Sequence, residues 1–357
     1  MDPVRLAIVG LGVIGKRHMQ ALSNVEEAEL GAIADPNAEV RELAQQNGVA
    51  FYAETADMLA QTKPDGVLVC TPTEHHVQPV LAVLEAGAHV LVEKPIAATL
   101  EAAETIIAAA NKASRHVLVG HHRRYYSVVQ HTRELLQNGE LGTLLGVSGQ
   151  WATRKAEAYF EPDWRQLRSS GPVLTNLIHE FDTLRYCCGE IRTVSALLKS
   201  GLRGHPKEET AAVILEFESG AVGTFLLSDS APSPWTWEQA TGENPNFPKS
   251  GQNVYRFLGS KAALEFPHLI LWSAETPADW NQPLTPKSFP TDSNDAYVAQ
   301  IKHFCQVISG AESPRISAQD ATRTLAATLG GCPRISVSGF LNPGLACRSR
   351  AQMGCCP

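Results

Sequence analysis

Leu6-Ala7-Ile8-Val9-Gly10-Leu11-Gly12-Val13-Ile14-Gly15 decides the fold of this chain. A short, unbroken apolar run reads as a strand buried on both faces. G-x-G-x-x-G follows at once and opens a helical run that continues through Leu22. In that context each glycine has its own role. Gly10 makes the tight turn, Gly12 lets the backbone approach a pyrophosphate, and Gly15 lets helix and strand pack closely. The first helical residues, Val13 and Ile14, then offer free N–H groups and the positive end of the helix dipole to phosphates. A dinucleotide site at Gly10, Gly12, Val13, Ile14 and Gly15 is the expectation.

Reading outward, Leu30-Gly31-Ala32-Ile33-Ala34 forms a second strand and ends at Asp35, twenty residues after Gly15. That is the spacing of the acid that accepts hydrogen bonds from the adenosine ribose, and a carboxylate there repels a 2′-phosphate, so NAD is expected over NADP. The alternation continues with a helix over 37–47, a strand over 50–52, a strand over 66–70 ending at Thr71-Pro72, and a helix over 77–86 closed by Gly87. A strand over 90–93, a helix over 99–113 with Thr99 as N-cap, and a strand over 117–119 complete the set. Residues 1–121 are therefore expected to form a doubly wound parallel sheet, an α/β fold of the Rossmann type. The strand Val90-Leu91-Val92 ends at Glu93-Lys94-Pro95. Ligands of such sheets bind outside the carboxyl ends of the strands, so Lys94 is a candidate for chemistry.

The 357 residues favour two domains, and 44% hydrophobic residues allow a sizeable core. A net charge of −7 argues against a nucleic-acid partner. No run approaches the length of a membrane span, and no basic segment plus apolar stretch opens the chain, so a cytoplasmic protein is expected. Cys70, Cys187, Cys188 and Cys305 sit in apolar segments and read as reduced core residues. Cys332, Cys347, Cys355 and Cys356 lack metal-ligand spacing, and no metal site is expected.

After residue 121 the pattern changes. A helix over 125–138 is followed by a strand from Leu144 to Trp151, a hairpin of 212–217 and 221–226 around Ser219-Gly220, and strands over 254–258 and 269–272. Tight turns between consecutive strands predict an open, mainly antiparallel sheet in an α+β domain over 122–330. One helix, Val173 to about Cys187, interrupts the strands. His179 and Asp182 share a face of it, with Asn176 and Arg185 continuing the row, and spacing alone reads this equally well as a mixed polar face. Trp164-Arg165 lines a ligand site or anchors a loop by packing. Arg124 and Tyr126 are site-edge candidates, although Arg123-Arg124 reads equally as a solvated pair. Loop 229–252, with Trp235, Trp237 and several prolines, is too long for a plain connection. Helices over 294–309 and from Ser317 to Leu329 follow. Residues 331–357 lose all periodicity and read as an atypical tail, an altered reading frame or a divergent end, carrying no chemistry.

The glycine motif with His18, Thr71-Pro72 followed by His76, Ala86-Gly87-Ala88-His89-Val90 through Glu93-Lys94-Pro95, Gly120 to Tyr125, and Gly171 to Arg185 together resemble the Gfo/Idh/MocA oxidoreductases. The resemblance runs in order over residues 4–330. It implies an NAD(P)-dependent dehydrogenase of CH–OH groups, in which the second domain covers the nicotinamide and often makes an oligomer interface, so a homo-oligomer is expected. It implies that Lys94 contacts cofactor and substrate, that Glu93 and His76 belong to the cofactor side, and that Thr71-Pro72 line the nicotinamide. It also implies that His179 is the proton acceptor, with Asp182 orienting it or its neighbours. One departure stands out: relatives carry an aspartate one turn before the histidine, and here that residue is Thr175, with Asn176 three before His179. An amide bonds a hydroxyl but adds no charge, which weakens the case for inositol-type specificity. The expected reaction is hydride transfer between a secondary alcohol of a sugar or cyclic polyol and NAD, with either His179 or Lys94 carrying the proton. A cyclic cis-dihydrodiol dehydrogenase and a non-catalytic NAD(P)-binding regulator are the alternatives.

Overall fold

A computed structural model of the chain describes residues 2–244, 246–274 and 279–330, with the backbone alone at Ser169. The expected tail and its four cysteines lie outside the described residues. Strands β1 (Val4–Val9), β2 (Ala28–Ala34), β3 (Ala50–Tyr52), β4 (Gly66–Val69), β5 (His89–Val92) and β6 (Val117–Val119) form one sheet in the order β3-β2-β1-β4-β5-β6. Every pairing is parallel. The reason is visible along β1, where Leu6, Ala7, Ile8 and Val9 are all buried, so neither face tolerates water and both need helices. Helices α1 (Val13–Leu22) and α2 (Val40–Gln46) cover one face, against Leu6, Ile8, Ile33 and Leu68. Helices α3 (Thr55–Thr62), α4 (Val77–Glu85) and α5 (Leu100–Ala113) cover the other, against Ala7, Val9, Val67 and Val90. Thr99 caps α5 by accepting from the Ala102 amide at 3.2 Å. No helix was expected at α3; its buried residues are only Met58 and Leu59, too few to show a period.

The second sheet has nine strands: β7 (Leu144–Arg154), β8 (Ile191–Lys199), β9 (Thr210–Phe217), β10 (Val222–Ser228), β11 (Ser230–Trp235), β12 (Tyr255–Gly259), β13 (Ala262–Phe266), β14 (Ile270–Ser273) and β15 (Thr285–Ser288). Their order is β15-β14-β13-β12-β7-β10-β9-β8, with β11 on β7. All pairs are antiparallel except β7 with β10. A parallel pair needs a long crossover, and the segment between β7 and β8 supplies it. Helix α6 (Ser127–Gln137) precedes the sheet. Within the crossover, one π-turn (Val173–Leu177) runs into helix α7 (Ile178–Cys188), so the expected single helix has two parts. Loop 229–252 is not structureless: it holds β11 and the short helix α8 (Trp237–Thr241), capped by Thr236. Pro232 and Pro234 disguised β11, which tolerates them because it pairs only with the end of β7. One face of the sheet packs Phe217, Phe225, Tyr255, Phe257 and Phe266 against Leu177, Phe181 and Leu184.

Helices α9 (Ala296–Ile308) and α10 (Ala318–Thr328) return to the first sheet. Ile301, Phe304 and Val307 of α9 join the core with Leu6 and Ile8, while Ala318, Ala321 and Leu325 of α10 join that with Val117 and Val119. Both helices belong to the stretch 122–330 expected for the second domain, yet they pack on the first sheet, because a doubly wound sheet needs cover on both faces. Cys70, Cys187 and Cys305 are free and buried, and Cys188 is free and half-buried. Among the described residues no helix is long and apolar enough to cross a membrane.

A Cβ at Gly15 would stand 2.1 Å from the Gly10 carbonyl oxygen, whereas one at Gly12 would meet nothing within 4 Å. Gly15→Ala should therefore lower the melting temperature by about 5 °C or more while Gly12→Ala leaves it within about 1 °C, as read by thermal denaturation.

Candidate active site

Strand β5 ends at Val92, and Glu93 and Lys94 leave it at the sheet's carboxyl edge, with the Lys94–Pro95 peptide bond cis. Glu93 is buried. Its Oε1 lies 2.7 Å from His18 Nε2 on α1, and its Oε2 accepts from the Lys94 amide at 3.2 Å. Burial alone would raise this carboxyl, but the His18 hydrogen bond and the charge of Lys94 outweigh it and bring the pKa down to about 2. Only glycine fits beside it at position 120, where a Cβ would stand 2.7 Å from Glu93 Oε1. His76 is buried too, with Nδ1 2.9 Å from the Pro95 carbonyl and Nε2 2.9 Å from the Thr71 carbonyl. His76 thus lies between the Thr71-Pro72 turn and the Lys94-Pro95 turn, and its neutral ring, favoured by burial, donates to one of the two carbonyls. Glu93 likewise positions Lys94 and does not face open space.

From the second domain α7 brings His179 to the same place. Its ring lies 5.6 Å, edge to face, from His122, which stacks on Tyr297 of α9 at 4.5 Å. Burial pushes the His179 pKa well below its usual value, and the charges of Lys94 and Arg123 push it further. Burial also lowers Lys94, with Glu93 pulling the other way and Arg123 adding to the fall. The Lys94 amine thus lies close enough to His179 to act on it electrostatically, and it favours the neutral imidazole. His179 Nδ1 is buried without a partner among the described residues.

The remaining expected site residues divide. Arg124 is not a free substrate cation: Nε and Nη2 hold Asp182 at 2.8 and 2.6 Å, and Nη1 holds Asp320 at 2.7 Å. Asp182 is accordingly turned from His179 toward Arg124, Thr324 and, at 3.9 Å, His121. Both residues are buried, and a buried guanidinium needs full pairing. Trp164 is 57% exposed, and Arg165 stacks on Tyr159 and Trp164 while bonding the Tyr159 carbonyl, so this pair anchors its loop. Trp237 is fully buried beneath Arg123 and cannot form the wall for a flat ring that the dihydrodiol alternative requires; Trp235 lies on exposed β11. Tyr126 packs between His122 and Trp237 at the edge of the cleft. Asn176, in the π-turn, accepts at Oδ1 from Lys155 Nζ at 3.0 Å and from the Thr175 hydroxyl at 3.0 Å.

Several contributors escaped the sequence reading. Arg123 is no solvated cation: it is buried and bridges Glu180 at 2.7 Å and Glu238 at 3.1 Å. Burial raises Glu180 to about 7 even against Arg123, and Tyr255 donates to it. Glu243 pairs with His122. Tyr297 and Asp295 come from α9, with Asp295 holding Arg17 of α1 at 2.7 Å. These partners lie 57 to 278 residues apart in the chain, and no local period links them. Arg124→Lys should lower unfolding free energy by about 2–4 kcal/mol, because an ammonium cannot span Asp182 and Asp320, yet change KM by less than about threefold in steady-state assays.

At the nucleotide end, α1 begins at Val13 without a side-chain cap, and Val13 is 91% exposed. The open space at a Gly12 Cβ and the uncapped helix start fit a pyrophosphate. Asp35 accepts from the Leu11 amide at 2.6 Å through Oδ2 and from the Asn37 amide at 2.8 Å through Oδ1. Its carboxylate is fixed at the end of β2, with lone pairs left for ribose hydroxyls.

Comparison with known proteins accords with this geometry. Residues 4–121 match the model of the GFO/IDH/MocA oxidoreductase family, described as an NAD-binding Rossmann fold, and residues 129–265 match the GFO/IDH/MocA C-terminal domain. The rhizopine catabolism protein MocA of Rhizobium meliloti is 28% identical over 250 residues, 68% of this chain and 77% of that protein. The myo-inositol 2-dehydrogenase of Thermotoga maritima is 26% identical over 342 residues, 90% of this chain and 93% of its own. The WlbA dehydrogenase of Bordetella pertussis, solved with NADH and UDP-GlcNAcA, shares the fold with a TM-score of 0.74 at 21% identity, covering 92% of this chain and 95% of that one. The chain belongs to the Gfo/Idh/MocA family and is an NAD(P)-dependent dehydrogenase acting on CH–OH groups.

Proposed function

We propose that the enzyme moves hydride between a secondary alcohol of a sugar or cyclic polyol and NAD. The observation that carries this reading is the meeting of Lys94 and His179 from different domains, both with burial-lowered pKa values, at the carboxyl edge of a nucleotide-binding sheet. Relatives of similar length act on inositol. Gly10, Gly12, Val13, Ile14 and Gly15 would hold the pyrophosphate, Asp35 the adenosine ribose, and Thr71-Pro72 with Lys94 the nicotinamide end. NAD, when bound, supplies the hydride acceptor. Asp35 supports NAD over NADP, because its fixed negative charge stands where a 2′-phosphate would lie.

The protein's own part is proton and charge management. His179, kept neutral, accepts the hydroxyl proton at Nε2 as the carbon gives up hydride. Lys94, kept cationic and held by Glu93, donates a hydrogen bond to the same oxygen and stabilises the charge that develops on it. Second-domain residues exclude water, which strengthens both effects. We also propose a homo-oligomer. Leu145, Ile214, Val222, Leu226 and Leu258 leave an apolar open face on the second sheet, and size-exclusion chromatography with light scattering should show a mass above that of one 38.6 kDa chain.

Lys94→Ala should cut turnover by about 10²-fold or more while NAD binding by calorimetry stays within about threefold; near-normal turnover would sink the mechanism. The pH dependence has a definite sign. Neutral His179 is the active form and burial lowers its pKa, so kcat/KM for alcohol oxidation should hold its plateau below pH ~6.5, the value for a free imidazole. An acid limb centred at or above that value in the pH profile would remove His179 from the base role.

A further inference from the structure

Lys155, just after β7, was absent from every expectation, and its surroundings are unusual. Its Nζ sits 4.8 Å from the Tyr159 ring and 5.5 Å from that of Trp151, and donates to Asn176 Oδ1 at 3.0 Å. The nearest carboxylate, Asp229, is fully buried and 3.9 Å away, beyond hydrogen-bond reach. Asp229 is already engaged: Lys207 Nζ lies at 3.2 Å from Oδ2, and Arg203 Nη1 at 3.0 Å from Oδ1. Glu209, also buried, accepts from the Leu202 and Arg203 amides at 2.8 Å each. Three cations thus lie around Asp229, with Arg203 also paired to Glu157, and Lys155 is the one without a direct hydrogen bond to it. Burial lowers its pKa to about 8, with Lys207 and Arg203 adding to the fall against the pull of Asp229 and Glu238. A lysine that served only as a structural partner would bond Asp229 directly.

The Lys155 ammonium is one hydrogen bond from the helical run that carries His179. Asn176 precedes His179 by three residues on one continuous helical run, about 5 Å along its axis. The Glu238 carboxylate acts electrostatically on both Lys94 and Lys155. Asn176 Oδ1 takes two hydrogen bonds from protein groups, and its Nδ2 has no protein partner among the described residues. One ammonium with two N–H bonds to spare and one amide NH₂ match a monoanion with two oxygens.

We propose that Lys155 and Asn176 recognise a carboxylate on the substrate, so that the alcohol oxidised at His179 belongs to a polyhydroxy acid and not to a neutral sugar or cyclitol. This rests on the dehydrogenase reading above and names its substrate class. Asn176 and His179 are three residues apart on one helical run, which suits a substrate whose carboxyl and reacting hydroxyl are a few carbons apart. It also gives a purpose to the amide at position 176. An aspartate there would neutralise Lys155 and repel the substrate, whereas asparagine orients the ammonium and leaves its charge free.

The test is binding of matched pairs at saturating NAD+: galacturonate against galactose, and quinate against myo-inositol, by calorimetry. The wild-type enzyme should bind the acid of at least one pair about tenfold or more tighter than its neutral partner. Lys155→Met, which keeps the apolar stem, should lose that preference of about tenfold, and Asn176→Asp should reverse it. Equal or tighter binding of the neutral member in both pairs, or an acid preference that survives in Lys155→Met, overturns the proposal. NADH formation is read separately. An acid that binds through Lys155 without being oxidised would count against the dehydrogenase reading alone, while oxidation of neutral polyols with no acid preference would count against the carboxylate site alone.

Discussion

A buried carboxylate cannot stand alone in a protein interior, and Glu93 shows what its compensation organises. It needs a donor, and His18 reaches it from the first nucleotide-binding helix. It needs a second, and the backbone amide of Lys94 supplies it. It also needs room, which Gly120 on the next strand gives by lacking a Cβ. Three elements are thereby fixed to one another through a single side chain: the helix that faces the pyrophosphate, the strand that carries the lysine, and the strand that leads into the second domain. Leaving such a group half-satisfied costs several kcal/mol, so the geometry is held tightly. The nucleotide-binding helix and the Lys94 amine are thus placed by the same constraint and keep a constant separation.

The second domain is held to this platform by charge as well as by apolar packing. Arg123 and Arg124 are adjacent in the chain and point into different networks, one with Glu180 and Glu238, the other with Asp182 and Asp320. Glu180 and Asp182 follow His179 within the next turn of α7. The histidine therefore cannot rotate or slide without unpairing two buried guanidiniums. Helix α9 adds a third restraint through Tyr297, stacked on His122, and Asp295, paired with Arg17. The precision of the cleft comes from residues that never touch a ligand.

The parallel sheet was legible because its signals are local. A glycine motif between strand and helix, an acid at fixed spacing, and runs apolar on both faces each lie within one βα unit. Lys94 stood out locally at the end of one strand, whereas His179 was singled out by the family resemblance, since spacing alone reads its helix equally well as a mixed polar face. What stayed hidden was long-range. Arg124 looked like a site-edge cation until Asp320, almost two hundred residues later, proved to be its partner. Trp237 looked like a ring-binding surface until the core closed over it. Strand β11 was masked by its prolines, and α3 by its short buried face. The return of α9 and α10 to the first sheet leaves no periodic trace, because an amphipathic helix shows that it has a buried side but not which sheet buries it.

The π-turn before α7 connects these themes. One extra residue in a helical turn shifts every side chain upstream of it relative to those downstream. Here that shift lies between Asn176 and His179, to which we assign recognition and proton transfer. The downstream half is held by the arginine networks. The upstream half is tied by Val173 to Glu208 and by Leu177 to the core, while Asn176 bonds Lys155 and Thr175. On that assignment chemistry and recognition fall on the two sides of the shift. A fold arranged this way can change the substrate it accepts through the turn and the end of β7, while Lys94, His179 and the charges around them stay as they are.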